Sequence, residues 1–299
     1  MANKRLLCYI LAKMKFVKMQ GVGNDFVVIE PDSKPHDWAK LAVTICDRHY
    51  GIGADGILLL MPSKVADFRM RILNADGSEA ETCGNGLRCL VRYFVERKVR
   101  DFPDREISVE TLAGIRKARV LRNVGRPVRV RIGMGEPNFG ARDIPVLLER
   151  SDARVNTRKP LINCLLEIGR RELPLALVSM GNPHAVFFTD KPVADFPLVR
   201  LGPKVEHNKI FPEGANFEVA HMVNRRHIEA RVWERGAGET LACGSGACAI
   251  AVAARLSGYV DDKVAVQLPG GVLEIEWPGS GEVFLSGPAE FVFTGELPS

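Results

Sequence analysis

Apolar and polar residues alternate over Phe68-Arg69-Met70-Arg71-Ile72. A period of two predicts a β-strand with one buried face. The alternation returns about 160 residues later in Ile228-Glu229-Ala230-Arg231-Val232. Other features recur at nearly the same offset. Gly23-Asn24 leads into the apolar run Val27-Val28-Ile29, and Gly181-Asn182 leads into Ala185-Val186-Phe187. Thr82-Cys83-Gly84-Asn85-Gly86 is answered by Ala242-Cys243-Gly244-Ser245-Gly246, and Thr111-Leu112-Ala113-Gly114 by Leu268-Pro269-Gly270-Gly271. Matched features in the same order predict an internal duplication, and the period is far too long for a solenoid.

After Cys83, the apolar residues Leu87, Leu90, Val91, Phe94 and Val95 fall at helical spacing within 87–99. After Cys243, the segment 247–256 is Ala-rich and apolar almost all round, which predicts a buried helix. Each half therefore reads as strand, helix, strand, strand, cysteine loop, helix and further strands. The expected fold class is α/β in the α+β sense of mixed sheets: two pseudo-symmetric domains, each a mixed sheet or barrel wrapped around a central helix. Residues 14–130 form the first half and 131–288 the second, with 289–299 returning to the first through the apolar strand Phe291 to Phe293. The crossing falls at Gly125-Arg126-Pro127 or between Gly133 and Gly140.

Composition narrows the function. With 299 residues and 46% hydrophobic content, two packed domains are expected rather than a disordered chain. The net charge of +5 is mild for this length. Arginines between Arg116 and Arg131 alternate with apolar residues, as on a solvated strand face, so no nucleic-acid partner is expected. No apolar run approaches the roughly 20 residues that cross a bilayer, so no membrane partner is expected either. Residues 1–13 carry Lys4-Arg5 before a short apolar run, without a small-residue cleavage site, and read as an extension ahead of Met14 rather than a secretory signal.

The seven cysteines are Cys8, Cys46, Cys83, Cys89, Cys164, Cys243 and Cys248. An odd count with no CxxC pair is no disulfide framework and suggests free thiols in a reducing, cytoplasmic setting. Cys89 and Cys248 lie within the apolar helices and read as buried small hydrophobes, as do Cys46 and Cys164. Cys8 lies in the extension. Cys83 and Cys243 stand apart, because each precedes a glycine-rich helix start. A helix N-terminus favours a thiolate, and its free N–H groups suit a carboxylate. Paired elements of this kind suggest a site between the halves, where a thiolate takes a proton from one face of a carbon and a thiol returns one to the other.

Nearby polar residues suit a small polar substrate. Asn24 and Asn182 are equivalent in the repeat. Asn74 precedes the first cysteine loop, where Glu234-Arg235 precedes the second. An Arg holds a carboxylate in bidentate fashion, and a Glu holds an ammonium. His184 follows Asn182-Pro183 and is placed to tune a thiol.

Gly21-Val22-Gly23-Asn24-Asp25-Phe26, Asn74-Ala75-Asp76-Gly77-Ser78, Cys83-Gly84-Asn85-Gly86, Met180-Gly181-Asn182-Pro183-His184, and the long block from Glu234 to Thr240 through Cys243-Gly244-Ser245-Gly246 resemble the diaminopimelate epimerase family from Met14 almost to the C-terminus. The resemblance implies a homodimeric isomerase without a cofactor or metal that interconverts LL- and meso-diaminopimelate, in the route to lysine and peptidoglycan precursors. It implies that Cys83 and Cys243 are acid and base, assisted by His184 and Glu234. The substrate is then bound by Asn24, Asn74, Gly84, Asn85, Asn182, Asn216, Glu234, Arg235, Gly244 and Ser245. The chain departs from the family at Ala54-Asp55-Gly56, near a Gln that touches substrate in some members. It also has Phe293 where some members carry a Tyr in the dimer interface. Proline racemases and phenazine-pathway isomerases resemble the same architecture, and the former share paired thiols. The Glu234-Arg235 block, suited to a second zwitterion, favours diaminopimelate over a cyclic amino acid. A thiol redox or metal-binding module is the third reading; the cysteine spacing does not resemble a zinc site.

Overall fold

The computed structural model describes residues 14–81, 83–98, 105–122, 127–147, 153–156, 162–169 and 171–297. The extension 1–13 with Cys8, the residue Thr82 and the pair Gly125-Arg126 lie outside the described residues. The chain divides into two compact units. One runs to Ile132 and includes the C-terminal segment from Gly287; the other runs from Gly133 to Ser286.

In the first unit, β1 (Lys15–Gly21) and β2 (Asn24–Ile29) form a hairpin in which Gly21 faces Asn24. Its turn uses Gly23 at φ 85° and Val22 at φ 52°. A β-branched residue in that region is strained, and Val22 is held there by burial. Helix α1 (Trp38–Cys46) follows, capped by the Asp37 side chain. The strand β3 (Gly56–Met61) lies parallel to β2 and antiparallel to β4 (Phe68–Asn74). The alternation read in the sequence is borne by β4: Phe68, Met70 and Ile72 are buried, and Arg69 and Arg71 are less so. A short β5 (Glu79–Ala80) folds back on β4. Helix α2 (Gly84–Lys98) then packs against β1 to β4 and the later β7 (Gly114–Leu121). The strand β6 (Ile107–Thr111) lies parallel to β4, β7 is antiparallel to β6, and β8 (Arg129–Gly133) is antiparallel to β7.

The second unit repeats this order. Two added strands, β9 (Ala153–Asn156) and β10 (Ile162–Ile168), precede β11 (Arg171–Ser179). The hairpin of β11 with β12 (Pro183–Phe188) is followed by α3 (Leu198–Glu206) and then β13 (Asn216–Asn224), parallel to β12. The strand β14 (His227–Glu234) is antiparallel to β13, and β15 (Gly238–Thr240) folds back on β14. Helix α4 (Gly244–Leu256) packs against β11, β12 and β13 and the later β16 (Lys263–Leu268) and β17 (Gly271–Glu276). The strand β16 lies parallel to β14, β17 is antiparallel to β16, and β18 (Phe284–Pro288) is antiparallel to β17. The last strand, β19 (Glu290–Glu296), lies antiparallel to β1 and so belongs to the first unit.

Both units are thus mixed sheets about a central helix. The duplication extends to a charged clip. Arg71 donates twice to Glu79, at 2.7 and 2.8 Å, joining β4 to β5. Arg231 donates twice to Glu239, at 2.8 and 3.0 Å, joining β14 to β15. Paired N–H···O bonds of this kind fix angle as well as distance. Each clip glutamate stands four residues before a cysteine that opens a central helix. Helix α4 is buried from Gly246 to Ala254, as its all-round apolar sequence requires. Opposite the central helices, α1 covers a core with Val27, Ile29, Ile57 and Leu59, and α3 covers one with Leu175, Phe217 and Val219.

Candidate active site

Both helices begin three residues earlier than their apolar spacing predicts, directly after the cysteines. Gly84-Asn85-Gly86 and Gly244-Ser245-Gly246 read as turn sequences, but they form first helical turns. Each cysteine is consequently an N-cap. The Cys83 carbonyl accepts from Leu87 N–H at 2.8 Å, and its Sγ accepts from Gly86 N–H at 3.5 Å. The Cys243 carbonyl accepts from Ala247 N–H at 3.0 Å, and its Sγ accepts from Gly246 N–H at 3.4 Å. Sulfur here takes the role usually filled by a Ser or Asp oxygen. The N–H groups of the first turn and the helix dipole then favour negative charge beside each thiol.

Around Cys83 the groups come from four elements of the first unit. Asn24 follows the strained turn, and its amide N–H donates to Asp55 Oδ2 at 2.6 Å. That bond turns Asn24 Oδ1 toward the helix start, where it accepts from Asn85 Nδ2 at 3.2 Å and from Cys83 Sγ at 3.7 Å. Asp55 is itself held. Arg48 spans Asp55 and Asp25 at 2.7 Å each, and buried Lys18 reaches Asp25 at 2.5 Å. Burial opposes the Asp25 charge, but the hydrogen bonds and charges of Arg48 and Lys18 outweigh it and hold the carboxyl below its ordinary range. Asn74 ends β4 opposite Gly56 and donates to Ser78 Oγ at 3.0 Å. The Ala54-Asp55-Gly56 segment therefore contributes the residue that orients Asn24.

Around Cys243 the groups come from the second unit. Ser245 Oγ lies 3.4 Å from Cys243 Sγ and accepts from Asn182 Nδ2 at 3.5 Å. Asn182 Oδ1 faces His184 Nε2 at 2.9 Å, and His184 Nδ1 faces Glu218 at 2.6 Å. Glu234 ends β14, in the position that Asn74 holds on β4, and accepts from Thr240 Oγ1. Asn216 is occupied by backbone: it donates to Pro183 O and accepts from Arg235 N–H, both at 2.9 Å. Its amide thus ties the start of β12 to the Arg235 turn. Arg235 is exposed and donates to Glu213 O at 3.0 Å.

The environment of Cys243 reverses one expectation. A helix start alone favours a thiolate, yet the Cys243 thiol is pushed well above its ordinary value. Burial is the main cause, followed by the charge of Glu234. The bonds from Ser245 and Gly246 act the other way and are outweighed. Cys243 therefore carries its proton, whereas Cys83 is the less buried thiol. Cys46 and Cys89 are buried, and burial pushes them up to about 11 and about 12. Cys164 and Cys248 are buried as well. Glu218 is the residue that the sequence reading missed. Its signal was a lone acid in the otherwise apolar run from Phe217 to Ala220.

A mixed sheet about a central helix, repeated in each half of the chain, defines a structural class of its own. Solved structures with this fold include a phenazine-biosynthesis PhzF-family protein from Bacillus anthracis, with TM-score 0.69 and 16% identity over 96% of this chain and 99% of that one. A hydroxyproline epimerase from Agrobacterium vitis, solved with trans-4-hydroxy-L-proline, matches with TM-score 0.66 and 16% identity over 95% and 92%. Within this class the chain belongs to the diaminopimelate epimerase family, whose sequence model matches residues 16–140 and 176–292. It is 47% identical to the diaminopimelate epimerase of Heliobacterium modesticaldum over 95% of this chain and 100% of that protein. Against those of Moorella thermoacetica and Methanococcus maripaludis the identities are 46% and 42%, over 95% of this chain and 99% of each. The chain is accordingly an isomerase.

Proposed function

We propose that the protein interconverts LL- and meso-diaminopimelate by a two-thiol proton transfer that needs no cofactor. The observation that carries this reading is the equivalent placement of Cys83 and Cys243 as N-caps of the two central helices. In the reaction, one sulfur as thiolate takes the α-proton and leaves its electron pair on the α-carbon. That charge spreads onto the α-carboxylate, which the first-turn N–H groups of a helix suit. The other sulfur, as thiol, gives its proton to the opposite face and becomes the thiolate. The configuration inverts, and the protonation states of the pair are exchanged. The retained proton of Cys243 makes it the donor and leaves Cys83 as the base; the reverse direction exchanges the roles.

Asn24, Asn74, Asn85, Asn182, Ser245, Glu234 and Arg235 bind the two ends of the substrate, with Glu234 suited to an ammonium and Arg235 to a carboxylate. Asn216 acts through the backbone it ties, and His184 through Asn182. The product serves lysine and peptidoglycan precursor synthesis in the cytoplasm. The active form is a homodimer, a reading supported by Val292 and Phe293, which stand 55% and 48% exposed on β19. Among the described residues no helix is long and apolar enough to cross a membrane.

The test is incubation with LL-diaminopimelate in D₂O without added cofactor, followed by NMR of the α-proton and chiral separation. The meso isomer with deuterium at the inverted carbon is expected. Replacing Cys83 or Cys243 by Ala abolishes inversion, and near-normal turnover in either variant would refute the two-thiol reaction.

A further inference from the structure

Glu218 is the third residue of β13, with none of its surface exposed. Its Oε1 is 2.6 Å from His184 Nδ1, and His184 is equally buried. The other His184 nitrogen, Nε2, faces Asn182 Oδ1, which only accepts. Nε2 therefore carries a hydrogen, and one further proton lies between Nδ1 and Oε1. That proton belongs either to an imidazolium facing a carboxylate or to a carboxylic acid facing a neutral imidazole.

Three features favour the acid. Glu218 Oε2 is buried with no hydrogen-bond partner among the described residues. An ionised oxygen left so costs several times more than a neutral one. The reacting thiol is also close. Glu218 Oε1 and Cys243 Sγ lie 3.0 and 3.4 Å from the point where a Cβ on Gly246 would stand. A fixed negative charge there would oppose each thiolate that Cys243 has to form. Finally, burial pushes the Glu218 carboxyl above its ordinary range, assisted by the charge of Glu234, although His184 acts against it.

We infer that Glu218 is a positioning residue that stays protonated, donates to His184 Nδ1, and so locks His184 as the neutral Nε2–H tautomer that fixes the Asn182 amide toward Ser245. The route runs Glu218, His184, Asn182, Ser245, Cys243, and all five belong to the second unit. Asn182 needs this help because its amide is close to symmetric in shape. A donor on Oδ1 leaves only its N–H side for Ser245 and the substrate. The kinetic part of the inference rests on the reaction proposed above; the tautomer does not.

The test uses the full chain with ¹⁵N-labelled histidine and no substrate, with the His184 signals identified by their loss in His184→Gln. Wild type is expected to show one protonated nitrogen, Nε2, and a hydrogen-bonded, unprotonated Nδ1 around neutral pH. Glu218→Gln is expected to keep that pattern, because its amide N–H replaces the acid proton, and to hold kcat within about threefold. Glu218→Leu removes the donor; it is expected to give mixed tautomers and a kcat at least about tenfold lower, with KM less affected. Two protonated nitrogens in wild type would overturn the inference, as would loss of the pattern in Glu218→Gln. If Glu218→Leu does not fold, the wild-type and Glu218→Gln spectra decide. If wild type fails to turn over diaminopimelate, the proposed function falls, and the same spectra still decide the role of Glu218.

Discussion

A single methyl group separates packing from chemistry at the two helix starts. A Cβ on Gly246 would meet Glu218 Oε1 at 3.0 Å, Cys243 Cβ at 3.3 Å and Cys243 Sγ at 3.4 Å. None of these withdraws easily: Glu218 is held by His184 at 2.6 Å, and Cys243 by its own N-cap bonds. In Gly246→Ala, crowding costs about 1–3 kcal/mol. Alanine recovers at most about 1 kcal/mol of helix propensity, less in a first turn. A net loss of about 0–3 kcal/mol is expected. The kinetic effect is larger in proportion. A misplacement of 1 Å costs about a hundredfold, so a sulfur moved by a few tenths of an ångström should lower kcat roughly three- to tenfold. The equivalent Gly86→Ala is the control. Its methyl would meet Leu58 Cδ2 at 2.9 Å, then Phe26 and Ile72, with neither sulfur nor carboxyl among them. Gly86→Ala should therefore lose stability with little change in kcat. Thermal unfolding and α-proton exchange measured on both variants make the comparison. An equal fall in kcat for both, or a wild-type kcat in Gly246→Ala with reduced stability, would refute the reasoning.

Asp55→Ala frees the Asn24 amide to rotate. Loss of a charge-assisted hydrogen bond worth about 1.5–3 kcal/mol should lower kcat/KM by about tenfold or more, and steady-state kinetics equal to wild type would show that Asn24 is oriented by something else. Arg235→Ala should raise KM by about tenfold with kcat nearly unchanged; an unchanged KM would remove Arg235 from substrate binding. Alkaline stability should carry the mark of the buried thiols. Cys89 moves from 9.0 to about 12 on folding, so its contribution is intact below pH 9 and is lost as pH rises toward 12, because the unfolded thiol ionises first. The slope is about 1.4 kcal/mol per pH unit, and urea unfolding of Cys89→Ala should show a shallower decline than wild type above pH 9.

The sequence exposes those features that depend on local period. The alternation in β4 and β14 is visible because each strand has one buried face and one wetter face. Helix α4 is visible because its sequence is apolar on every side from Gly246 to Ala254. The helix starts were legible from the glycines that follow each cysteine, although the apolar spacing begins three residues later, because glycine, serine and asparagine carry no apolar period of their own. Which of the two cysteines keeps its proton was not legible. The favourable dipole belongs to the helix and can be read locally, whereas the burial that outweighs it is produced by strands distant in sequence. Glu218 was illegible because an acid in an apolar strand becomes meaningful only when β12 brings His184 beside it. Asp55 was noticed as a departure, but its service to Asn24 depends on the parallel register of β2 and β3.

The matching Arg71–Glu79 and Arg231–Glu239 clips also bear on asymmetry. An assembly of identical half-length chains would have to carry every substitution twice. In a single chain the scaffold can stay paired while the positions it supports separate. That has happened at the ends of β4 and β14, where Asn74 stands on one side and Glu234, followed by Arg235, on the other. The shared clip joins the same two strands in each half, while a neutral side chain ends β4 and a charged one ends β14. Telling the reacting end of a substrate from its distal end calls for such freedom, which no symmetric pair of halves could supply.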